Sequence, residues 1–190
     1  MKKLVSNDFF SGLGPSQFVP LIKNNWRYTA MEQNETKMSN LNLIDFPLFS
    51  SVINDVERGP RAADIILSII LDKEVKVRNL NVGKISMPSD SDRGVFMEAC
   101  VEEKKTGRIL DRAVFITSFD PYNEGKMLYT LKKCGAGNLS EDSDDQAATL
   151  YFYIHGNGDD QPQALRELAA YIADTTPEKA VNPALRELQG

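Results

Sequence analysis

The side chains able to do chemistry are few, and their spacing narrows the options. His155 is the sole histidine of the chain, which excludes sites built on two or more: His-rich zinc centres, HExxH sites and copper sites. Gly156-Asn-Gly158 follows it as a turn signal, and no GxSxG occurs, so a nucleophilic triad has no frame. Phosphate loops of the GxxxxGK[ST] or GxGxxG type are absent, and Gly135-Ala-Gly137 reads as an ordinary loop. Asp90-Ser-Asp92 opens like a calcium loop, but Gly94 and Val101 stand where that loop needs other residues, a bidentate Glu above all. Cys100 and Cys134 form no CxxC and read as reduced, packed thiols.

Carboxylates offer more. Lys104-Lys-Thr-Gly107 is a turn between two alternating segments, Val95–Glu102 and Arg108–Phe119, which predicts a β-hairpin. With that turn, Glu103 pairs with Arg108, Cys100 with Asp111 and Glu98 with Ala113. Side chains alternate along a strand, so Glu98, Cys100, Asp111 and Ala113 share one face. Glu98 and Asp111 then sit diagonally, about 7–8 Å apart at the backbone. Two such carboxylates can hold a Mg²⁺ through oxygens and water, as in metal-dependent phosphodiesterases; the plainer reading is a wet, charged sheet face.

The elements that must position this hairpin follow from the hydrophobic periods. Asp45 is placed to cap a helix running through Val56, with Phe46, Phe49, Val52, Ile53 and Val56 as its apolar stripe. Gly59-Pro60 breaks the chain, and a second helix to about Leu71 is so apolar that it should be the central buried one. Lys73–Lys84 reads as a strand in which Val75 and Val77 alternate before Leu80 and Val82 continue on a shifted register. Short strands are expected at Met127–Leu131 and Thr149–Ile154, and helical segments from Pro162 to about Asp174 and over 177–188, the latter interrupted at Asn182-Pro183. Helices, then strands, then helices predict an α+β domain over 41–190 with a mostly antiparallel sheet flanked by helices. Residues 1–40, with Gly12, Gly14, Pro15, Pro20 and scattered aromatics, read as a lightly structured N-terminal arm.

The chain has 190 residues, 42% of them apolar and 26% charged, which suits one globular domain with an arm. Its net charge of −5 argues against a protein held to nucleic acid by its overall field. The longest apolar run, Ile65–Leu71, is far short of the roughly 20 residues that span a bilayer. Met1-Lys-Lys is followed by no apolar signal segment, so a cytoplasmic protein is expected.

Several stretches, taken together, resemble the PD-(D/E)XK nuclease family transposases, relatives of recombination-promoting nucleases. They are Leu43-Ile-Asp-Phe-Pro-Leu-Phe49, Ile69–Val77, Asp90–Glu98, and above all Ala113-Val-Phe-Ile-Thr-Ser-Phe-Asp-Pro-Tyr122-Asn-Glu-Gly125 with Leu128-Tyr-Thr130, which is similar to the family's VIFICxFDPFGxGxxxYTF. The likeness covers about residues 41–188 and implies a reduced PD-(D/E)XK-like core. The chain departs from the pattern at its centre. Glu98 stands where the family's GVRxDVY carries its metal-ligating Asp, and Phe96 replaces the Arg. From Leu110-Asp111-Arg112 the chain runs directly into Ala113-Val-Phe-Ile116, so the segment with the Glu-x-Gln that supplies the second ligand is missing.

A metal clamp short of a carboxylate cannot both activate water and stabilise pentavalent charge. The resemblance therefore implies a pseudo-nuclease, with Glu98 and Asp111 vestigial and no cofactor, acting by protein–protein contact. An inhibitor from a mobile element or phage, of the anti-CRISPR type and directed at a nucleic-acid-guided defence nuclease, is its sharpest form. Glu141, Asp142, Asp144, Asp145, Asp159 and Asp160, with Trp26 in the arm, are the candidate partner contacts. Two alternatives stay open. One is an active nuclease using Mg²⁺ on Glu98 and Asp111, completed by Asp45, Asp55 or a second subunit. The other is a nucleic-acid binder using Lys104, Lys105, Arg108, Arg112, Lys132 and Lys133. A sheet edge left open by the missing segment would favour a homodimer or a partner strand.

Overall fold

The computed structural model describes residues 41–86, 89, 91–132 and 147–189. Its elements are α1 (Phe46–Ile53), α2 (Gly59–Leu71), β1 (Val75–Lys84), β2 (Gly94–Glu103), β3 (Ile109–Thr117), β4 (Leu128–Lys132), β5 (Ala147–Tyr153), α3 (Gln163–Ala173), a 3₁₀ turn (Pro177–Lys179) and α4 (Pro183–Arg186). The arm, residues 1–40, lies outside the described residues.

Local chemistry explains the helix boundaries. Asp45 occupies the N-cap of α1, but its carboxylate caps no helix N–H. It accepts from the Asn42 N–H at 2.8 Å and pairs with the Arg93 guanidinium at 3.0 Å, so its expected capping role passes to Pro47 and the backbone. Before α2, Asp55 Oδ1 accepts from the N–H groups of Glu57 and Arg58 and turns the chain. Gly59 is required at the start of α2, because a Cβ there would lie 2.2 Å from the Ile53 carbonyl oxygen. Asn182 caps α4 by accepting from the Leu185 N–H at 3.0 Å.

The five strands form one sheet in the order β1-β2-β3-β5-β4. β1–β2, β2–β3 and β4–β5 are antiparallel, and β3–β5 is parallel. The sheet is therefore mixed, because β5 inserts between β3 and β4 instead of extending the meander. The hairpin has the expected register, Cys100 opposite Asp111 and Glu98 opposite Ala113. β1 carries the expected shift as a bulge between Val77 and Asn79.

Burial divides the sheet into two faces. Val95, Met97, Ala99 and Val101 of β2, Leu110, Val114 and Ile116 of β3, and Leu150 and Phe152 of β5 are buried in one core cluster. That cluster also holds Phe49 and Ile53 of α1, Ala63, Ile66, Leu67 and Ile70 of α2, and Leu165, Leu168 and Ile172 of α3. All three long helices thus pack on the same face. At a typical 1.5–3 kcal/mol per fully buried large apolar side chain, this face supplies most of the driving force for folding. Residues 42–44 are tied to the end of α3: Ile44 N–H donates to the Ile172 carbonyl (3.3 Å), and Leu43 N–H to Thr175 Oγ1 (2.7 Å). No helix among the described residues is long and apolar enough to cross a membrane.

Candidate functional site

The opposite face carries the alternate residues: Phe96, Glu98, Cys100 and Glu102 from β2, Asp111, Ala113 and Phe115 from β3, and Thr149 and Tyr151 from β5. Glu98 and Asp111 are both exposed on it, where the hairpin argument places them. They do not converge. Glu98 accepts from the Asn81 side-chain amide on β1 at 3.3 Å, away from β3. Asp111 lies beside the Cys100 thiol, whose pKa is pushed up first by burial and then by the Asp111 carboxylate. Asp45 is engaged with Asn42 and Arg93, and Asp55 with the turn before α2, so neither completes the pair. Among the described residues, no three His, Cys, Asp or Glu side chains group as a metal-holding set. This donor set does not fit the Mg²⁺ clamp of the active-nuclease alternative.

The basic candidates also separate. Lys104 and Lys105 are exposed at the hairpin turn. They share a shallow depression of about 560 Å³ with Asp72, Lys73, Glu74 and Glu103. Lys73 lies 3.6 Å from Glu103 there, so the local charge is mixed. Arg108 is exposed beside the turn. Arg112 belongs to the other face: it is 6% exposed, and its guanidinium donates to the Asp111 carbonyl at 2.9 Å. It is therefore no part of a basic surface, because β3 alternation turns it inward with Leu110 and Val114. The side chain of Lys132 and all of Lys133 lie outside the described residues, as do Trp26, Glu141, Asp142, Asp144 and Asp145. Asp159 and Asp160 are exposed in the turn after β5, where Asp160 accepts from the Gln161 amide at 3.1 Å. His155 lies in the turn after β5, its ring 6.1 Å from that of Tyr153.

A row of aromatic rings crosses this face that the strand-by-strand reading did not single out. Register aligns Gly83 of β1, Phe96, Phe115, Tyr151 and Tyr129 of β4. The Phe96 ring fills the place a side chain at Gly83 would take, since a Cβ there would fall 2.3 Å from its Cε1. Phe96 and Phe115 centroids are 6.1 Å apart, Phe115 and Tyr151 stack at 4.8 Å, and Tyr122 meets Tyr151 edge-on at 5.5 Å. None of these rings belongs to the core cluster or to the side chains packed on it. The hairpin register already placed Phe96 opposite Phe115; that β5, and through it β4, lies beside β3 was not readable.

The motif most specific to the resemblance has a structural task at the end of this row. Asp120 accepts from the Tyr122 N–H at 3.0 Å, the Gly125 N–H at 2.5 Å and the Tyr129 hydroxyl at 2.7 Å. Burial alone would raise the Asp120 carboxyl, but these donors outweigh it and hold the group below the usual carboxylate range. Burial, and then the bond to Asp120, push the Tyr129 hydroxyl up. Asn123 (φ 55) and Gly125 (φ 73) take the left-handed conformations this loop needs.

What the fold and the site define is a class only: an α+β protein whose mixed sheet has helices on one face and an aromatic, acidic surface on the other. Comparison with family models, with curated proteins and with solved structures finds no match.

Proposed function

We propose that this chain is a non-catalytic binding protein acting in the cytoplasm by protein–protein contact. Its scaffold is a reduced PD-(D/E)XK-like core, and its role is that of an inhibitor from a mobile element or phage. The target class is a nucleic-acid-guided defence nuclease, as in anti-CRISPR action. The resemblance of Ala113–Thr130 to the family motif supports the scaffold, and the departures at Glu98 and after Asp111 support the loss of catalysis. The single observation that carries the reading is the divergence of Glu98 and Asp111, toward Asn81 and Cys100 respectively, with no third ligand grouped with them among the described residues. Phosphodiester hydrolysis by two-carboxylate chemistry needs ligands that converge on one ion.

The test is a cleavage assay on DNA and RNA with Mg²⁺ or Mn²⁺, run beside Glu98→Ala. The expected result is no cleavage by the folded protein. Metal-dependent cleavage that Glu98→Ala abolishes would overturn the reading in favour of an active nuclease.

A further inference from the structure

We propose that the sheet face opposite α1, α2 and α3 is a docking surface for an arginine-bearing polypeptide. Its guanidinium groups rest on the aromatic row and pair with Glu98 and Asp111. The inference deepens the protein–protein reading above and rests on it for the class of partner.

Three features of the face converge on this chemistry. The first is the row itself. Phe96, Phe115 and Tyr151 are half-buried, Tyr122 is 40% exposed, and all lie outside the helical core. Leu131 continues the same face onto β4 at 46% exposure, opposite Thr149. Phe115 and Tyr151 stack on each other, so the most exposed ring, Tyr122, is the one a guanidinium can lie against.

The second feature is the set of side chains around Ala113, beside the row. Ala113 is the smallest side chain at the centre of the face, with Phe115 and Asp111 two residues to either side on β3, Glu98 opposite on β2 and Thr149 opposite on β5. A ring, two carboxylates and a hydroxyl thus surround the smallest side chain of the face. A planar guanidinium has five donors arranged as a fork, which suits pairing with a carboxylate that stands beside aromatic rings.

The third feature is charge. On β1, Arg78 is already paired with Glu102, and the exposed Lys76 stands opposite that same glutamate. Glu98 and Asp111 are left exposed in a chain of net charge −5. Phosphate groups are repelled here, so the aromatic row does not suit single-stranded nucleic acid. A purely apolar partner would bury both carboxylates unpaired, which is costly. Arginine side chains satisfy the rings and the acids together.

The test uses the full chain and three probes: a short synthetic peptide carrying four arginines, its all-lysine counterpart, and an oligothymidylate. Binding is read by anisotropy at physiological salt, with shift perturbation to locate it. The expected result is preference for the arginine peptide, with shifts on the open-face residues of β2, β3 and β5. Glu98→Lys combined with Asp111→Lys should weaken binding about tenfold or more, and Tyr122→Ala about two- to fivefold. Asp159→Lys with Asp160→Lys makes the same change in net charge away from the face and should leave affinity within about twofold. The docking surface is overturned by equal loss in both double variants, by equal binding of the lysine peptide, by preference for the oligonucleotide, or by no binding. Cleavage is assayed on the same preparations: cleavage overturns the non-catalytic reading, whereas lost peptide preference without cleavage overturns the docking surface alone.

Discussion

Phe152 on β5 and Phe115 on β3 lie on adjacent strands one register step apart, and they face opposite sides of the sheet. Phe152 is 0% exposed and packs in the cluster that α1, α2 and α3 close over. Phe115 is half-buried, stacked on Tyr151 and tilted against Phe96, with no helical core around it. The same residue type thus does two jobs. On the helical face it fills volume and drives folding; on the other it forms part of a surface whose rings contact chiefly one another. The carboxylates sort the same way: Glu98 and Asp111 are tolerated on the second face because it is wet.

The largest expected effect is on the helical face. Phe152→Ala should cost about 3–5 kcal/mol in urea unfolding, through lost transfer energy and a residual cavity. Phe115→Ala should cost less than half as much; an equal cost would mean the second face is also core. Gly59→Ala should follow, since its Cβ would strike the Ile53 carbonyl oxygen and force α1 and α2 apart. A loss of about 1–3 kcal/mol is expected from such overpacking, and an unchanged midpoint would show that the turn can shift freely.

Tyr129→Phe probes the loop that ends the aromatic row. It removes one donor to Asp120, so a lower urea midpoint is expected at neutral pH. The sign with pH follows from the lowered Asp120 pKa. Its contribution is present above the ordinary carboxylate pKa of about 4 and is lost as pH falls through the lower folded value. The gap between parent and Tyr129→Phe should therefore narrow on going from pH 7 to the acid limb, and a constant gap would remove Asp120 from the account. The smallest effect should come from Glu98→Ala, exposed and held by one 3.3 Å contact. A change within about 0.5 kcal/mol is expected, and a larger one would make Glu98 structural instead of available to a partner.

Much of the local structure was legible from residue order. The turn at Lys104–Gly107 and period-2 alternation placed Cys100 opposite Asp111, and the switch from Val75 and Val77 to Leu80 and Val82 announced the bulge in β1. Gly59-Pro60 marked a helix start, and the interruption expected at Asn182-Pro183 separates the 3₁₀ turn from α4. These features depend on neighbours in the chain, whose geometry a few dihedral angles determine. Asp45 illustrates the limit: its capping role looked local, but Arg93, distant in sequence, claims the carboxylate.

The aromatic row and the mixed sheet belong to the other category. Phe96 and Phe115 meet across the hairpin, but Tyr151 and Tyr129 join them only because β5 enters between β3 and β4, parallel to the first and antiparallel to the second. That placement follows from burying Leu150 and Phe152 against the same helices as Val114 and Ile116. Hydrophobic burial is non-directional and acts across the whole chain, so residue types and spacing could specify each strand and its two faces. Which rings would meet, and which acids would stand beside them, was decided only when the strands packed.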